Sequence, residues 1–108
     1  MKELILKKEG ERLTASLNCE IDHHTAKLLR EEIDVAMRSG EVKVLILDFS
    51  GVGFMDSSGI GLILGRANTA EEIGASVRLC GLSPSLIRIV RMSGIEKIQS
   101  ITVEKRGV

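Results

Sequence analysis

The stretch "VKVLILDFSGVGFMDSSGIGLILGRANTAEEIG", Val42 to Gly74, determines the fold that the sequence predicts. Its first eight residues, which end at Phe49, form the most apolar run of the chain. Their β-branched residues and short length predict a central strand covered on both faces. "SGVGF" then predicts a loop. Asp56 is placed to cap a helix that runs to Ile73, with Gly74 ending it. The stretch therefore predicts a strand, a loop and a helix.

The segments on either side alternate in the same way. "ELILKK" and "RLTASLN" flank a turn at Glu9–Glu11 and predict a hairpin. "DHHTAKLLREEIDVAMRSG" predicts a helix capped by Asp22, with Gly40 just past its end. "ASVRLCGL" and "IQSITVEK" predict strands, and a short helix between them begins at Ser83 and ends before Gly94. This alternation predicts an α/β fold: a mixed, mostly parallel β-sheet with an N-terminal hairpin and helices packed against it.

A helical projection of residues 57–73 separates two faces. The predicted core face carries Ile60, Ile63, Leu64, Ala67 and Ala70. The predicted exposed face carries Ser58, Gly61, Leu62, Gly65 and Thr69. Each exposed glycine costs a helix about 1 kcal/mol relative to alanine. Close helix–sheet contact would explain glycine structurally, but two glycines one turn apart beside an exposed leucine favour a low surface onto which a partner docks.

Ser57 stands near the boundary of these faces, where the free N–H groups of a helix N-terminus surround its hydroxyl. Phosphorylation there would add about −1.5 to −2 charges. The helix N-terminus tolerates this charge, whereas a docked partner would not, because the phosphate lies next to Asp56 and would be buried unpaired. The pattern predicts a docking surface that phosphate switches off. Ser58 competes with Ser57 as the acceptor.

Composition limits the class of protein. The chain has 108 residues, enough for one domain, and 15 basic residues balance 15 acidic ones. This neutrality argues against nucleic acid, and with only Phe49 and Phe54 as aromatics there is no base-stacking platform. No apolar run nears the ~20 residues of a membrane span, and the N-terminus lacks a signal pattern, so we expect a cytoplasmic protein that does not bind membranes. Cys19 and Cys80 are expected to be half-buried free thiols, with a disulfide or a catalytic thiol as the alternative.

A family resemblance extends this interpretation. "LDFSGVGFMDSSGIGLILGR", preceded by "EIDHHTAKLLREEID" and followed by "SPSLIRIVRMSGIEKI", resembles the STAS-domain anti-sigma factor antagonists. The resemblance runs from about Leu4 to Val103 and is strongest to the sporulation type, which counters the anti-sigma-F kinase. It implies a single STAS domain over residues 1–108.

The resemblance implies partner switching in the control of transcription. The unphosphorylated antagonist binds an anti-sigma factor, which is also a serine kinase, and thereby frees the sigma factor. The kinase phosphorylates Ser57 with its own ATP and magnesium, and a separate protein phosphatase reverses this. The antagonist itself is then no enzyme, needs no cofactor and is expected to be monomeric when free. The residues expected to bind the partner are Asp22, Asp56, Ser58, Gly61, Leu62 and Gly65.

Other functions have weaker support in the sequence. His23 and His24 are neighbours that point about 100° apart on a helix, so they cannot hold one metal ion together. A hydrolase would need a base beside its serine, and the strained Gly-x-Ser-x-Gly turn is missing. The phosphate-binding loop of nucleotide-binding proteins is missing as well. A nucleotide- or anion-binding module without sigma-factor control remains the alternative, although no lysine or arginine lies near Ser57 in the local sequence.

Overall fold

A five-stranded sheet with the strand order β1-β2-β3-β4-β5 is the centre of the computed structural model, which describes residues 2–104. The first two strands form an antiparallel hairpin, and every later strand is parallel to its neighbour. The strands are β1 (Leu4–Glu9), β2 (Arg12–Leu17), β3 (Val44–Asp48), β4 (Ser76–Cys80) and β5 (Ile101–Val103). The predicted mixed, mostly parallel sheet with an opening hairpin is confirmed.

At one end of the sheet the predicted hairpin turn is present, and at the other end the last strand is shorter than predicted. Gly10 occupies the hairpin turn with a φ of 61°, a left-handed conformation that glycine adopts without steric cost. The last strand was predicted over residues 98–105, but β5 has only three residues because a 3-10 helix at Ile95–Lys97 and a turn precede it. Lys105 lies outside the described residues.

Three helices connect or follow the strands: α1 (His23–Arg38), α2 (Ser57–Ile73) and α3 (Pro84–Ser93). The predicted caps Asp22, Asp56 and Ser83 each accept a backbone hydrogen bond in the first turn of their helix. Gly74 and Gly94 end α2 and α3 in the left-handed conformation, as predicted. Within residues 2–104 no helix combines the length and the apolar character that crossing a membrane requires.

Gly40 lies just past the end of α1, as predicted, but the way in which the helix ends differs from that of a left-handed glycine. Gly40 does not adopt the left-handed conformation of a terminating glycine. Ser39 ends the helix instead, in a right-handed conformation. Its N–H donates to the Ala36 carbonyl and its hydroxyl donates to the Val35 carbonyl, so the last carbonyls of α1 are satisfied one residue earlier.

The sheet has one core face, which corrects the prediction that β3 is covered on both sides. Leu45 and Leu47 are fully buried and belong to the single apolar core, to which all three helices contribute their buried residues. Val44 and Ile46 point to the opposite face, are only half-buried and lie outside that core. Because the helices pack on one face, the apolar run of β3 alternates between a buried side and a partly solvated side.

Candidate functional site

The segments that precede α1 and α2 are joined side by side. Ile21 and Met55 form an isolated parallel bridge, in which the Ile21 N–H donates to the Phe54 carbonyl at 3.0 Å and the Asp56 N–H donates to the Ile21 carbonyl at 3.1 Å. Both bridging side chains are buried and therefore anchor the two segments in the core. This pairing places the N-cap residues of both helices, Asp22 and Asp56, along one edge of the domain.

Each of the two aspartates accepts a hydrogen bond from a free N–H group in the first turn of its own helix. The Asp22 Oδ1 accepts from the Thr25 N–H at 2.9 Å, and the Thr25 hydroxyl accepts from the Asp22 N–H at 2.9 Å, which completes a capping box. The Thr25 backbone hydrogen bond, followed by the Thr25 side chain, holds the pKa of Asp22 below its ordinary value. The Asp56 Oδ1 accepts from the Ser58 N–H at 2.7 Å. Both carboxylates therefore accept hydrogen bonds from the N-terminal N–H groups of their own helices, where negative charge is favoured.

Ser57 is the first residue of α2 and is exposed. Within residues 2–104 its hydroxyl makes no hydrogen bond. Ser58 is half-buried, and its N–H is the one that Asp56 binds. Of the two serines, Ser57 is thus the more accessible to another protein, which is the condition that a switch at this hydroxyl requires.

Two of the three glycines of α2, Gly61 and Gly65, have no packing role. A Cβ built on Gly61 or on Gly65 would meet no atom of the described residues within 4 Å. Gly61 is exposed and Gly65 is half-buried. By contrast, a Cβ on the buried Gly59 would lie 2.5 Å from the Met55 sulfur. Close contact with Met55, in the bridged segment before α2, therefore explains Gly59 but neither of the other two.

The structure corrects the predicted faces of α2. Leu62 was predicted to be exposed and to bind the partner, but it is only 3 % exposed and belongs to the core. Thr69 is buried as well, whereas Leu64, which was predicted to be in the core, is 42 % exposed. The reason is that α2 packs against α1 as well as against β4, so its buried arc is wider and turned towards α1. In the folded protein the Leu62 side chain is unavailable to a partner.

An ion pair crosses the interface between α1 and α2. The Arg66 Nη2 donates to the Asp34 Oδ2 at 3.2 Å, and the Thr69 hydroxyl donates to the Asp34 Oδ1 at 3.1 Å. The Arg66 Nε lies 2.9 Å from the same Oδ1, although at an angle that makes no hydrogen bond. Arg66 is 3 % exposed, and burial lowers its pKa while Asp34 opposes that effect. The sequence analysis assigned no role to either residue, because the two are separated by 32 positions in the chain.

A groove of about 260 Å³ opens between the first turns of α1 and α2. Its basic residues come from α1, and Ser58 and Gly61 line it from α2. The residues that line it are His23, Ala26, Lys27, Arg30, Ser58, Gly61 and Leu62. The local sequence around Ser57 holds no lysine or arginine, but the tertiary structure places Lys27 and Arg30 in a groove that Ser58 also lines. The absence of lysine and arginine from the local sequence therefore does not exclude a basic groove close to this serine pair.

Phe54 is a second feature that the sequence analysis missed. It is 52 % exposed and lies three residues before Ser57, in the segment bridged to Ile21. Large apolar side chains at the surface are typical of protein-binding sites. A phenylalanine that follows the glycine-containing loop at residues 50–53 and lies two residues before the helix cap Asp56 was the signal in the sequence. It replaces Leu62 as the apolar side chain available at this edge.

The alternatives based on catalysis find no support among residues 2–104. Neither His23 nor His24 makes a hydrogen bond with Ser57 or Ser58 in this part of the chain, so no pair of nucleophile and base forms there. No group of three or more potential metal ligands of the His, Cys, Asp or Glu type occurs among the described residues.

Both cysteines are free and half-buried, as predicted. Burial, followed by the charge of Asp48, raises the pKa of Cys80 to about 11, and burial also raises the pKa of Cys19. A thiol with a raised pKa is a poor nucleophile at neutral pH, which argues against a catalytic role for either residue.

Comparisons with known proteins agree with this geometry. The STAS domain family model matches residues 4–106. An anti-sigma F factor antagonist of Paenibacillus polymyxa is 36 % identical over 89 residues, which cover 82 % of this chain and 76 % of the relative. Two solved structures are similar, each at 30 % identity and over 95 % of this chain. The anti-sigma factor antagonist SpoIIAA in its unphosphorylated form aligns over 89 % of its own chain with a TM-score of 0.80. The Bacillus cell fate determinant SpoIIAA in the phosphorylated form aligns over 92 % with a TM-score of 0.72.

The relatives are regulatory binding proteins rather than enzymes, and the similarity spans nearly all of the described residues. It also includes the edge at which Asp22, Asp56 and Ser57 meet. The chain therefore belongs to the STAS domain family, among its anti-sigma factor antagonists.

Proposed function

We propose that this protein, in its unphosphorylated form, binds an anti-sigma factor that is also a serine kinase and thereby releases a sigma factor of the sporulation type. Phosphorylation of Ser57 switches it off, and a separate phosphatase restores it. The observation that carries the proposal is the exposed Ser57 at the start of α2, on the edge that it shares with Asp22 and Asp56.

The partner supplies the chemistry of the switch. It binds ATP and magnesium and carries the base that accepts the proton of the Ser57 hydroxyl. The Ser57 oxygen forms a bond to the γ-phosphorus as the bond from that phosphorus to the bridging oxygen of ADP breaks. The domain contributes an accessible hydroxyl, because Ser57 is exposed and Gly61 leaves free space one turn further along the helix.

The effect of the phosphate is expected to be larger on binding than on folding. The N–H groups of the first turn of α2 favour an anion, and the phosphorylated relative retains this fold. A partner that covers the edge would bury the new dianion next to the Asp56 carboxylate. Leaving such a charge unpaired costs at least about 3 kcal/mol of binding, which corresponds to a loss of affinity of roughly a hundredfold.

The proposal is tested by mixing the protein with its anti-sigma factor kinase and ATP or ADP, followed by mass spectrometry of the modified residue. Ser57→Ala should lose the phosphate and keep partner binding, whereas Ser57→Asp should bind more weakly. Ser58→Ala is the matched control and should still be phosphorylated at position 57. Phosphate on the Ser57→Ala protein would show that the acceptor is wrongly assigned.

Nucleotide or anion binding without sigma-factor control is the second candidate, and the basic groove between α1 and α2 favours it. The groove is smaller than the roughly 300–1,000 Å³ of ordinary small-molecule sites, and none of its lining residues is aromatic. It therefore suits a phosphate group better than a whole nucleotide. Calorimetry of the isolated protein with ATP and ADP tests this candidate, for which micromolar binding is expected.

A further inference from the structure

One face of α1 is a row of charged residues directed at α2. His23, Lys27, Arg30, Asp34 and Arg38 follow each other at intervals of three or four residues, and so share one side of the helix. Contacts with α2 confirm the direction of this row: the first three residues line the groove with Ser58 and Gly61, and the last two pair with residues of α2.

The carboxylates of this interface are already used. Asp34 is bound by Arg66 and Thr69, and Glu72 is bound by Arg38 at 3.1 Å. Among the ion pairs of residues 2–104, none includes Lys27 or Arg30. Glu31, one turn after Lys27 on the same helix, is not paired with it within this part of the chain.

The interface therefore has an excess of positive charge in a protein whose formal net charge is zero. Four cations stand against two carboxylates, and the two uncompensated ones, Lys27 and Arg30, lie at the groove. Repulsion from Arg30 and Arg38 contributes to the lowered pKa of Arg66, so these charges are close enough to affect one another. An anion in the groove would relieve this repulsion.

The opposite wall of the groove leaves room for such an anion. Gly61 is exposed, and a Cβ at this position would meet no described atom within 4 Å. The Ser58 hydroxyl lies on the same wall, and none of the residues that line the groove is acidic. The combination of an arginine, a lysine and a hydroxyl around an open space is the donor set that phosphate groups prefer.

We propose that this groove is a binding site for a phosphate group, with Lys27 and Arg30 as its cationic donors and Ser58 as a neutral one. Two sources carry that chemistry. One is phosphoserine at position 57 of the same chain, which rests on the proposed function. The other is a soluble phosphate. In the first case Lys27 and Arg30 retain the phosphate on the surface of the domain, and the groove is a part of the switch.

The first test is a titration of the isotope-labelled, unphosphorylated protein with inorganic phosphate at constant ionic strength, followed by amide NMR shifts. The Ser58 and Gly61 amides should shift with millimolar half-saturation. In Lys27→Gln/Arg30→Gln the affinity should fall about tenfold or more. Lys97→Gln/Arg88→Gln, which removes the same charge from two exposed cations outside the groove, should leave it unchanged.

The second test distinguishes the sources in a protein with phosphoserine incorporated at position 57. If its own phosphate fills the groove, the second pKa of the phosphoserine, measured by ³¹P NMR, falls below its ordinary value of about 6 and returns towards it in Lys27→Gln/Arg30→Gln. Added phosphate then no longer shifts Gly61. If the phosphoserine titrates normally while added phosphate still binds, the soluble source is correct.

The site is refuted if added phosphate gives no saturable shift at Ser58 or Gly61, or gives the same shift in Lys27→Gln/Arg30→Gln, while the phosphoserine pKa stays ordinary. Neither measurement involves a kinase or an anti-sigma factor. The groove can therefore fail while the proposed switch at Ser57 stands, and the switch can fail while the groove binds phosphate.

Discussion

Replacing one partner of the ion pair between Arg66 and Asp34 should cost much more stability for Asp34 than for Arg66. Asp34→Ala leaves the Arg66 guanidinium in place, with a side chain that is 4 % exposed and its Nη1 already without a hydrogen-bond partner among residues 2–104. Arg66→Met leaves the Asp34 carboxylate, whose side chain is 29 % exposed and which keeps the Thr69 hydroxyl as a donor. The buried arginine therefore loses the only counter-charge that it pairs with among residues 2–104, whereas the carboxylate can be reached by water.

The magnitudes follow from that difference. Leaving a buried charge unpaired costs about 3–5 kcal/mol, and we expect the lower end, about 3 kcal/mol, for Asp34→Ala because water reaches one side of the pair. Replacing a buried charged side chain by an apolar one of similar volume is often nearly neutral, so Arg66→Met should cost about 1 kcal/mol. The double variant should resemble Arg66→Met alone, which gives a coupling free energy of about 3 kcal/mol in magnitude.

The measurement is equilibrium unfolding in urea, with the free energy of unfolding compared at equal slope. Arg38→Met is the matched control, because the Arg38–Glu72 pair joins the same two helices but both side chains are half-exposed or more. Its loss should cost less than about 1 kcal/mol. Equal costs for Asp34→Ala and Arg66→Met, or a larger cost for Arg66→Met, would refute the argument from burial.

Three further predictions concern other parts of the domain. Gly61→Ala and Gly65→Ala should each stabilise the protein by about 1 kcal/mol in urea unfolding, since both have free space, whereas Gly59→Ala should destabilise it because its Cβ would overlap Met55. The lowered pKa of Asp22 should be measurable by NMR titration. The stability that ionised Asp22 contributes is present above its pKa in the unfolded chain and is lost as the pH falls through its pKa in the folded protein. A free energy of unfolding that rises on acidification through this range would contradict the lowered pKa. Cys80, with a pKa of about 11, should react with iodoacetamide at pH 8 far more slowly than free cysteine, and an equal rate would show that the thiol is not desolvated.

Most element boundaries follow from local signals in the sequence. Helix α2 begins after Asp56 and ends before Gly74 because a side-chain cap and a left-handed glycine act within one turn of the helix. Gly40 failed as a terminator because Ser39 satisfied the last carbonyls of α1 one residue earlier. Ser39 and Gly40 are adjacent and either can end a helix, so the sequence pattern does not distinguish the two.

The faces of α2 could not be predicted from its own sequence. A helical projection places Leu62 opposite the core and Leu64 in it, and the structure reverses both. The projection treats the helix as having one buried side, whereas α2 is covered by β4 and by α1. A second packing partner widens the buried arc, and its direction depends on where α1 lies, which no period in residues 57–73 encodes.

The sequence by itself determined the order of the strands and α-helices and the caps of all three α-helices, and it led to the prediction of a phosphate switch at Ser57. These properties depend on residues within a few positions of each other. The tertiary structure alone decided that Asp22 and Asp56 share an edge, that Arg66 is buried against Asp34, and that Lys27 and Arg30 line one groove together with Ser58. Each of these contacts joins segments about 30 residues apart, and only the side-by-side packing of α1 and α2 on one face of the sheet brings them together.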